Sequence, residues 1–202
     1  MFWVPLLTIV VYGVLHSLLA SPLLKRRIRA TIGERAYEGF YRLAYNILSA
    51  VLLAPVILVL LVTPSQEVWR IPMPWAAACM LIQAGSLIAL IVAVLQADPL
   101  RFAGISQALA YLRHEPLPPE SLQVQGFYGL VRHPLYLFSL LVLWPSPIMT
   151  DTLLGVAVGA TLYLLLGSRL EERRLAAEFG EAYTAYRRRV PWLLPWPRPR
   201  NN

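Results

Sequence analysis

Little in this chain of 202 residues suits the usual chemistries of soluble enzymes. There is one cysteine, Cys79, so no intramolecular disulfide can form, and the residue reads as a small hydrophobe inside an apolar run. The three histidines and eleven acids show no local metal-ligand spacing. No nucleophile–base–acid series, P-loop or dinucleotide-binding glycine motif is present. Charged residues make up 14% of the chain, against about a quarter in soluble domains. The first apolar run has no basic leader and exceeds the usual signal-peptide core, so it does not read as a cleaved signal. Internal repeats and low-complexity tracts are absent.

What the chain has instead is apolar length. Phe2–Leu24, Leu43–Val62 and Trp75–Ala97 each run for about 20 residues or more without a charge, enough to cross a bilayer core of about 30 Å. Leu135–Met149 and Leu153–Leu166 are shorter and are separated by Pro145, Pro147 and Thr150-Asp151-Thr152. As helices these two would each span only about 22 Å. They read as a helical hairpin whose turn reaches or nearly reaches the far surface, with a buried re-entrant hairpin as the alternative. The expected fold is an all-α integral membrane protein. It has five transmembrane helices, the last two forming the short hairpin, and a cytoplasmic C-terminal helix. The chain divides near Ala97 into a three-helix N-terminal half, 1–97, and a C-terminal half, 98–202.

The net charge of +7 has a membrane explanation. Six Lys and Arg lie between Lys25 and Arg42, one at Arg70, three in Arg101–Arg132 and eight from Arg169 onward. Five spans with the N-terminus outside put seventeen of the eighteen on the cytoplasmic side, the asymmetry of the positive-inside rule. The C-terminus is then cytoplasmic. Nucleic-acid binding would need these cations gathered on one element, and they are spread over several loops.

The loops carry their own signals. Lys25–Arg42 is amphipathic, with Ile28, Ile32, Tyr37 and Phe40 among its charges, and is expected to lie along the membrane surface. Asp98–Arg132 is long for a connection, which favours a functional role; Ile105–Arg113 forms a short helix in it before Pro116, Pro118 and Pro119. Beyond Arg169, Leu175, Phe179, Tyr183, Tyr186 and Val190 share one helical face, opposite Arg174, Glu178, Glu181 and Arg188, with a break at Gly180. The tail Pro191-Trp-Leu-Leu-Pro-Trp-Pro is not helical and suits an interfacial anchor or a lid edge.

Two polar clusters bracket the hairpin. In the first, Pro134 suits the first position of a helix, leaving the amides of Leu135 and Tyr136 free to face the cytosol. A carboxylate or phosphate fits there, with Arg132 and His133 as further donors. An ordinary capped helix with Arg132 snorkelling is the plainer alternative. In the second, Glu171 and Glu172 point about 100° apart, so the two are not expected to share a partner. One turns inward while the other pairs with Arg174 or Arg169. Tyr128, Tyr136, Tyr183 and Tyr186 suit either a cation–π site or an interfacial belt. His16, in the first span, is expected to bond Asn46 in the second, with metal or haem ligation as the sharper alternative.

These residues together resemble the isoprenylcysteine carboxyl methyltransferase and phospholipid methyltransferase superfamily. The matching text is Gly126-Phe-Tyr128, Arg132-His-Pro-Leu-Tyr136, Glu171-Glu-Arg-Arg-Leu175, Phe179-Gly180-x-x-Tyr183-x-x-Tyr186 and Val190-Pro191. Trp144-Pro-Ser-Pro-Ile-Met-Thr150 and Asp98-Pro-Leu-Arg-Phe-Ala-Gly104 resemble its methanethiol S-methyltransferase branch, and Leu15-His-Ser-Leu-Leu-Ala-Ser21 with Tyr45-Asn46 is similar to the NnrU family. The resemblance implies S-adenosylmethionine as methyl donor, held by Tyr128, His133, Pro134, Leu135, Tyr136 and Glu171. It implies a small or lipophilic acceptor reached through the bilayer, a thiol before a prenylcysteine carboxylate or a lipid amine. The arginine that grips a prenylcysteine falls at Gly167, with Arg169 two residues away. No general base is evident; Arg169 and Arg132 are the candidates to assist deprotonation. The competing expectations are an NnrU-like haem-binding isomerase, with His16 or His133 as axial ligand, and a non-catalytic membrane assembly factor. Oligomeric state is left open.

Overall fold

A computed structural model describes residues 1–117 and 120–196. Pro118, Pro119, Pro197 and the last two cations, Arg198 and Arg200, lie outside the described residues. In chain order the elements are α1 (Trp3–Leu19), α2 (Pro22–Ile32), α3 (Glu34–Val62), β1 (Glu67–Arg70), α4 (Trp75–Gln96), α5 (Pro99–Ala103), α6 (Ile105–Arg113), α7 (Phe127–Leu130), α8 (Pro134–Leu143), β2 (Ile148–Thr150) and α9 (Asp151–Arg189).

Among the described residues three helices, α3, α4 and α9, are long and apolar enough to cross a membrane, and α1 with α2, bent by 49°, makes a fourth candidate. At ten residues α8 is shorter than a span. The surface fits a bilayer. Leu61, Leu81 and Trp75 point outward at 69–77% exposure, while α4 buries Ala76, Ser86 and Ala93. Helices in lipid gain little from hiding leucine, so small residues face inward and let backbones approach. At the α1–α9 crossing, a Cβ on Gly159 would stand 2.1 Å from Cγ2 of Ile9.

The hairpin differs from the expectation. Its two helices pack less on each other than on other partners: α8 lies on α4, where Gln83 donates to the Val142 carbonyl at 2.7 Å, and α9 lies on α1. The all-α expectation also needs a small addition. The segment after Trp144 is strand β2, paired antiparallel with β1 in the register Trp69↔Met149 and Arg70↔Ile148. Prolines 145 and 147 end α8 early, and a backbone that cannot stay helical must find partners elsewhere. The strand delivers Asp151, whose carboxylate accepts from the Gln66 amide at 3.0 Å and pairs with the amino group of Met1.

The first loop is not a separate surface helix over its whole length. Ser21 caps α2, and after Gly33 the charged residues from Glu34 onward form the start of α3, continuous with the second apolar run. The short helix at Ile105–Arg113 is present as expected. Past the apolar part of α9, Tyr183, Tyr186 and Val190 form a buried cluster with Leu175 and Phe179, the face expected from their spacing. Gly180 adopts φ 52°, a break within α9.

Gly159→Val should separate α1 from α9. The expected cost is about 1–3 kcal/mol, the range for overpacking a tight contact, read as a lowered midpoint in mixed-micelle unfolding.

Candidate active site

α8 starts where the chain arrives through Arg132 and His133, with Pro134 in its first turn, and no side chain among the described residues caps it. What closes this end is the C-terminal segment: the amides of Arg132 and His133 donate to the carbonyls of Pro191 (2.9 Å) and Trp192 (3.3 Å). The tail expected as an anchor or lid edge is thus bonded to the start of α8.

Arg132 does not serve as a free donor. Its buried guanidinium contacts Glu172 at 2.6 Å and donates to the carbonyls of Val190 (2.7 Å) and Arg187 (3.2 Å). Carbonyls at the end of α9 have no intrahelical partners, and the planar fork of the arginine supplies them. The pairing of one acid with Arg174 or Arg169 is corrected accordingly: Glu172 takes Arg132 instead. Arg169 is exposed and lies over the Trp192 ring at 5.6 Å.

The expectation that Glu171 and Glu172 cannot share a partner is overturned. The His133 ring sits between them, with Nε2 3.3 Å from Glu172 and Nδ1 3.5 Å from Glu171. The 100° between adjacent side chains lets them straddle a flat ring presented from another helix, one carboxylate per nitrogen. Tyr136 stacks on that ring at 5.2 Å and donates its hydroxyl to Glu171 at 2.7 Å. Tyr128, on α7, accepts from Tyr186 at its carbonyl (2.6 Å). Burial, with the charge of Glu171 second, pushes the Tyr128 phenol up to about 12. Tyr128, His133, Tyr136 and Glu171 therefore converge, beside Pro134 and Leu135 in the first turn of α8.

Sequence reasoning missed a sizeable concavity. A cavity of about 680 Å³, within the range of small-molecule sites, opens between α2, α3, the segment after α6 and the polar part of α9. Lys25, Tyr37, Tyr41, Tyr45 and Arg174 line it. Tyr37 and Tyr41 stack at 4.7 Å, and the i, i+4 ladder Tyr37, Tyr41, Tyr45 was the available signal. Glu120 also lines it. Burial alone would raise its carboxyl, but a bond with Glu178 and the charges of Arg42, Arg101 and Arg174 hold it below the usual range. Arg174, one turn past Glu171, exerts its charge on Glu171 as well, linking cavity and cluster. A second, apolar groove of about 480 Å³ lies between α1 and α9 and runs along α9 from Gly159 to Leu170.

His16 does not bond Asn46. Its ring meets the hydroxyls of Tyr163 (2.5 Å from Nδ1) and Tyr45 (2.8 Å from Nε2 and 3.1 Å from Nδ1), while Asn46 donates to the Phe102 carbonyl. One residue of register, about 100° around α3, decides this: Tyr45, not Asn46, faces α1. With His133 held between two acids, the nitrogens of both candidate axial histidines are engaged.

Fold and site define an α-helical integral membrane protein with an acid- and aromatic-lined site where α8 begins and the apolar part of α9 ends. The NnrU protein family model matches residues 4–146. Methanethiol S-methyltransferase 2 of Bradyrhizobium diazoefficiens is 37% identical over 201 residues, 95% of this chain and 72% of that protein. Methanethiol S-methyltransferase of Pseudomonas deceptionensis is 32% identical over 197 residues, with the same coverages. Nurim of Xenopus laevis is 34% identical over 104 residues, 48% of this chain and 36% of that protein. No solved structure matches. The chain belongs to the NnrU family, in the branch that holds the methanethiol S-methyltransferases.

Glu172→Ala should leave the Arg132 guanidinium buried and short of a counter-charge. About 3 kcal/mol of destabilisation is expected, seen as faster proteolysis within Arg173–Arg189.

Proposed function

We propose that this membrane methyltransferase moves a methyl group from S-adenosylmethionine to a small thiol, with the donor at the start of α8. The methyltransferase class follows from kinship. The placement rests on one observation: the Tyr136 hydroxyl meets Glu171 at 2.7 Å, so the beginning of α8 and the exit of α9 share one site.

The residues present fit such a donor. The uncapped first turn of α8, at Leu135 and Tyr136, suits a carboxylate. Glu171 can accept from an amine or a ribose hydroxyl, and the Tyr136 and Tyr128 rings suit a sulfonium. The donor supplies an electrophilic methyl on a cationic sulfur; the chain's task is to orient the reactants and exclude water. The apolar groove ends at Leu170, next to Glu171, and supports entry of an apolar acceptor from lipid. The relatives are named for methanethiol, which fits so apolar a lining. Gly167 borders this groove where the prenylcysteine enzymes carry an arginine, which supports a thiol over a carboxylate.

The topology follows the charges. Five crossings, with α8 completed by β2, put the sheet and Met1 outside and the donor site in the cytosol. Both halves contribute, 1–97 to groove and cavity walls and 98–202 to the donor residues.

Calorimetry in detergent tests the reading. Wild-type protein should bind S-adenosylmethionine, and Glu171→Gln should weaken binding by about 1.5–3 kcal/mol, roughly tenfold to a hundredfold in Kd. No heat from wild type at millimolar donor would end it.

A further inference from the structure

A thiol that becomes a thioether must lose a proton, and the groove that would hold it is nearly without polar groups. Among its lining residues, Ser17 and Tyr163 carry side-chain hydroxyls. The polar cavity on the other side is lined by Tyr45. His16 meets both hydroxyls: that of Tyr163 lies 2.5 Å from Nδ1, and that of Tyr45 lies 2.8 Å from Nε2 and 3.1 Å from Nδ1. The set is packed as a unit, with ring centroids 5.0 Å (His16–Tyr45) and 5.8 Å (His16–Tyr163) apart.

We propose that Tyr163, His16 and Tyr45 form a proton conduit, carrying the acceptor thiol's proton from the apolar groove to the water-facing cavity. This deepens the reading above and rests on it. Tyr163 is the group that touches the acceptor; His16 and Tyr45 act through it. The thiol S–H bond breaks, its proton going to the Tyr163 oxygen as the Tyr163 proton passes to His16. The opposite nitrogen of His16 gives its proton to Tyr45, and Tyr45 releases one to water in the cavity. The sulfur lone pair forms the new S–CH3 bond, and the donor's C–S bond breaks with its pair staying on the donor sulfur. Charge balances, since a sulfonium cation is consumed and a proton released. The thiolate is the stronger nucleophile, so removing the proton raises the rate.

The groups facing His16 suit transfer rather than storage of charge. Tyr12 comes from its own helix, Tyr45 with Tyr41 behind it from α3, and Tyr163 from α9. Ser17 bonds Tyr163, and Glu171 is the carboxylate whose charge reaches it. Among the described residues no acid lies against the imidazole itself, so a proton arriving there is not trapped as an ion pair. Glu171 ties the conduit to the donor site.

The test uses the full chain in detergent, labelled S-adenosylmethionine and methanethiol, with kcat followed against pH and donor Kd by calorimetry. His16→Gln should lower kcat at pH 7 by roughly 10²–10⁴-fold, the usual yield of acid–base catalysis. The deficit should shrink as pH rises and the thiol ionises unaided, while donor Kd stays within about twofold of wild type. Tyr163→Phe and Tyr45→Phe each remove only a hydroxyl and should share that pH signature, so they carry the test if His16→Gln fails to fold. Variants with the wild-type rate and pH profile overturn the conduit. So does a loss that persists at high pH together with weakened donor binding, which marks a purely structural triad. Wild type that binds no donor sinks the methyltransferase site and the conduit with it; wild type that binds and turns over, with variants like it, sinks the conduit alone.

Discussion

The ion pair between Arg132 and Glu172 holds the site in place. A guanidinium at 6% side-chain exposure needs nearly all its donors satisfied, and Glu172 with the Val190 and Arg187 carbonyls provides this. Those partners come from the polar end of α9 and its terminus, so the arginine ties the start of α8 to both. Once that is fixed, the His133 ring has one place to lie, between two carboxylates, and Tyr136 stacks on it and reaches Glu171. The pair costs desolvation and gains a defined geometry where a methyl donor would need one.

The membrane explains the rest of the layout. A bilayer gives no drive to hide leucine, so helix pairs form where small residues allow close approach, as at Gly159 against Ile9. That draws α9 onto α1 and leaves α8 to α4, so the hairpin is splayed. Between α1 and α9 the result is an apolar groove open to lipid and ending beside Glu171. At the far end, backbone that prolines keep from being helical is satisfied by pairing β2 with β1.

Much of the site was legible locally. Pro134 after His133 announces a helix start by the rule for proline at the first position, and the spacing of Leu175, Phe179, Tyr183 and Tyr186 announces a buried face. Gly180 marked a break. The partners were not legible. Which of Tyr45 and Asn46 meets His16 depends on the rotation of α3 against α1, and adjacent residues on a helix carry no mark of which faces inward. That two neighbouring acids straddle one imidazole depends on where another helix presents its ring. The polar cavity escaped notice because Lys25–Arg42 read as a surface segment, whereas its tyrosines form one wall of a concavity completed by α9.

The amino-acid sequence alone determined the solvent, the helical class, the asymmetry of charge and the residues available for chemistry, since each follows from composition and near-neighbour spacing. Tertiary structure decided which helices pair, that Arg132 is tied up rather than free, and that His16 joins two tyrosines between groove and cavity. These depend on contacts between residues far apart in the chain, such as Arg132 with Glu172 and His16 with Tyr163, whose meeting is set by how whole helices pack.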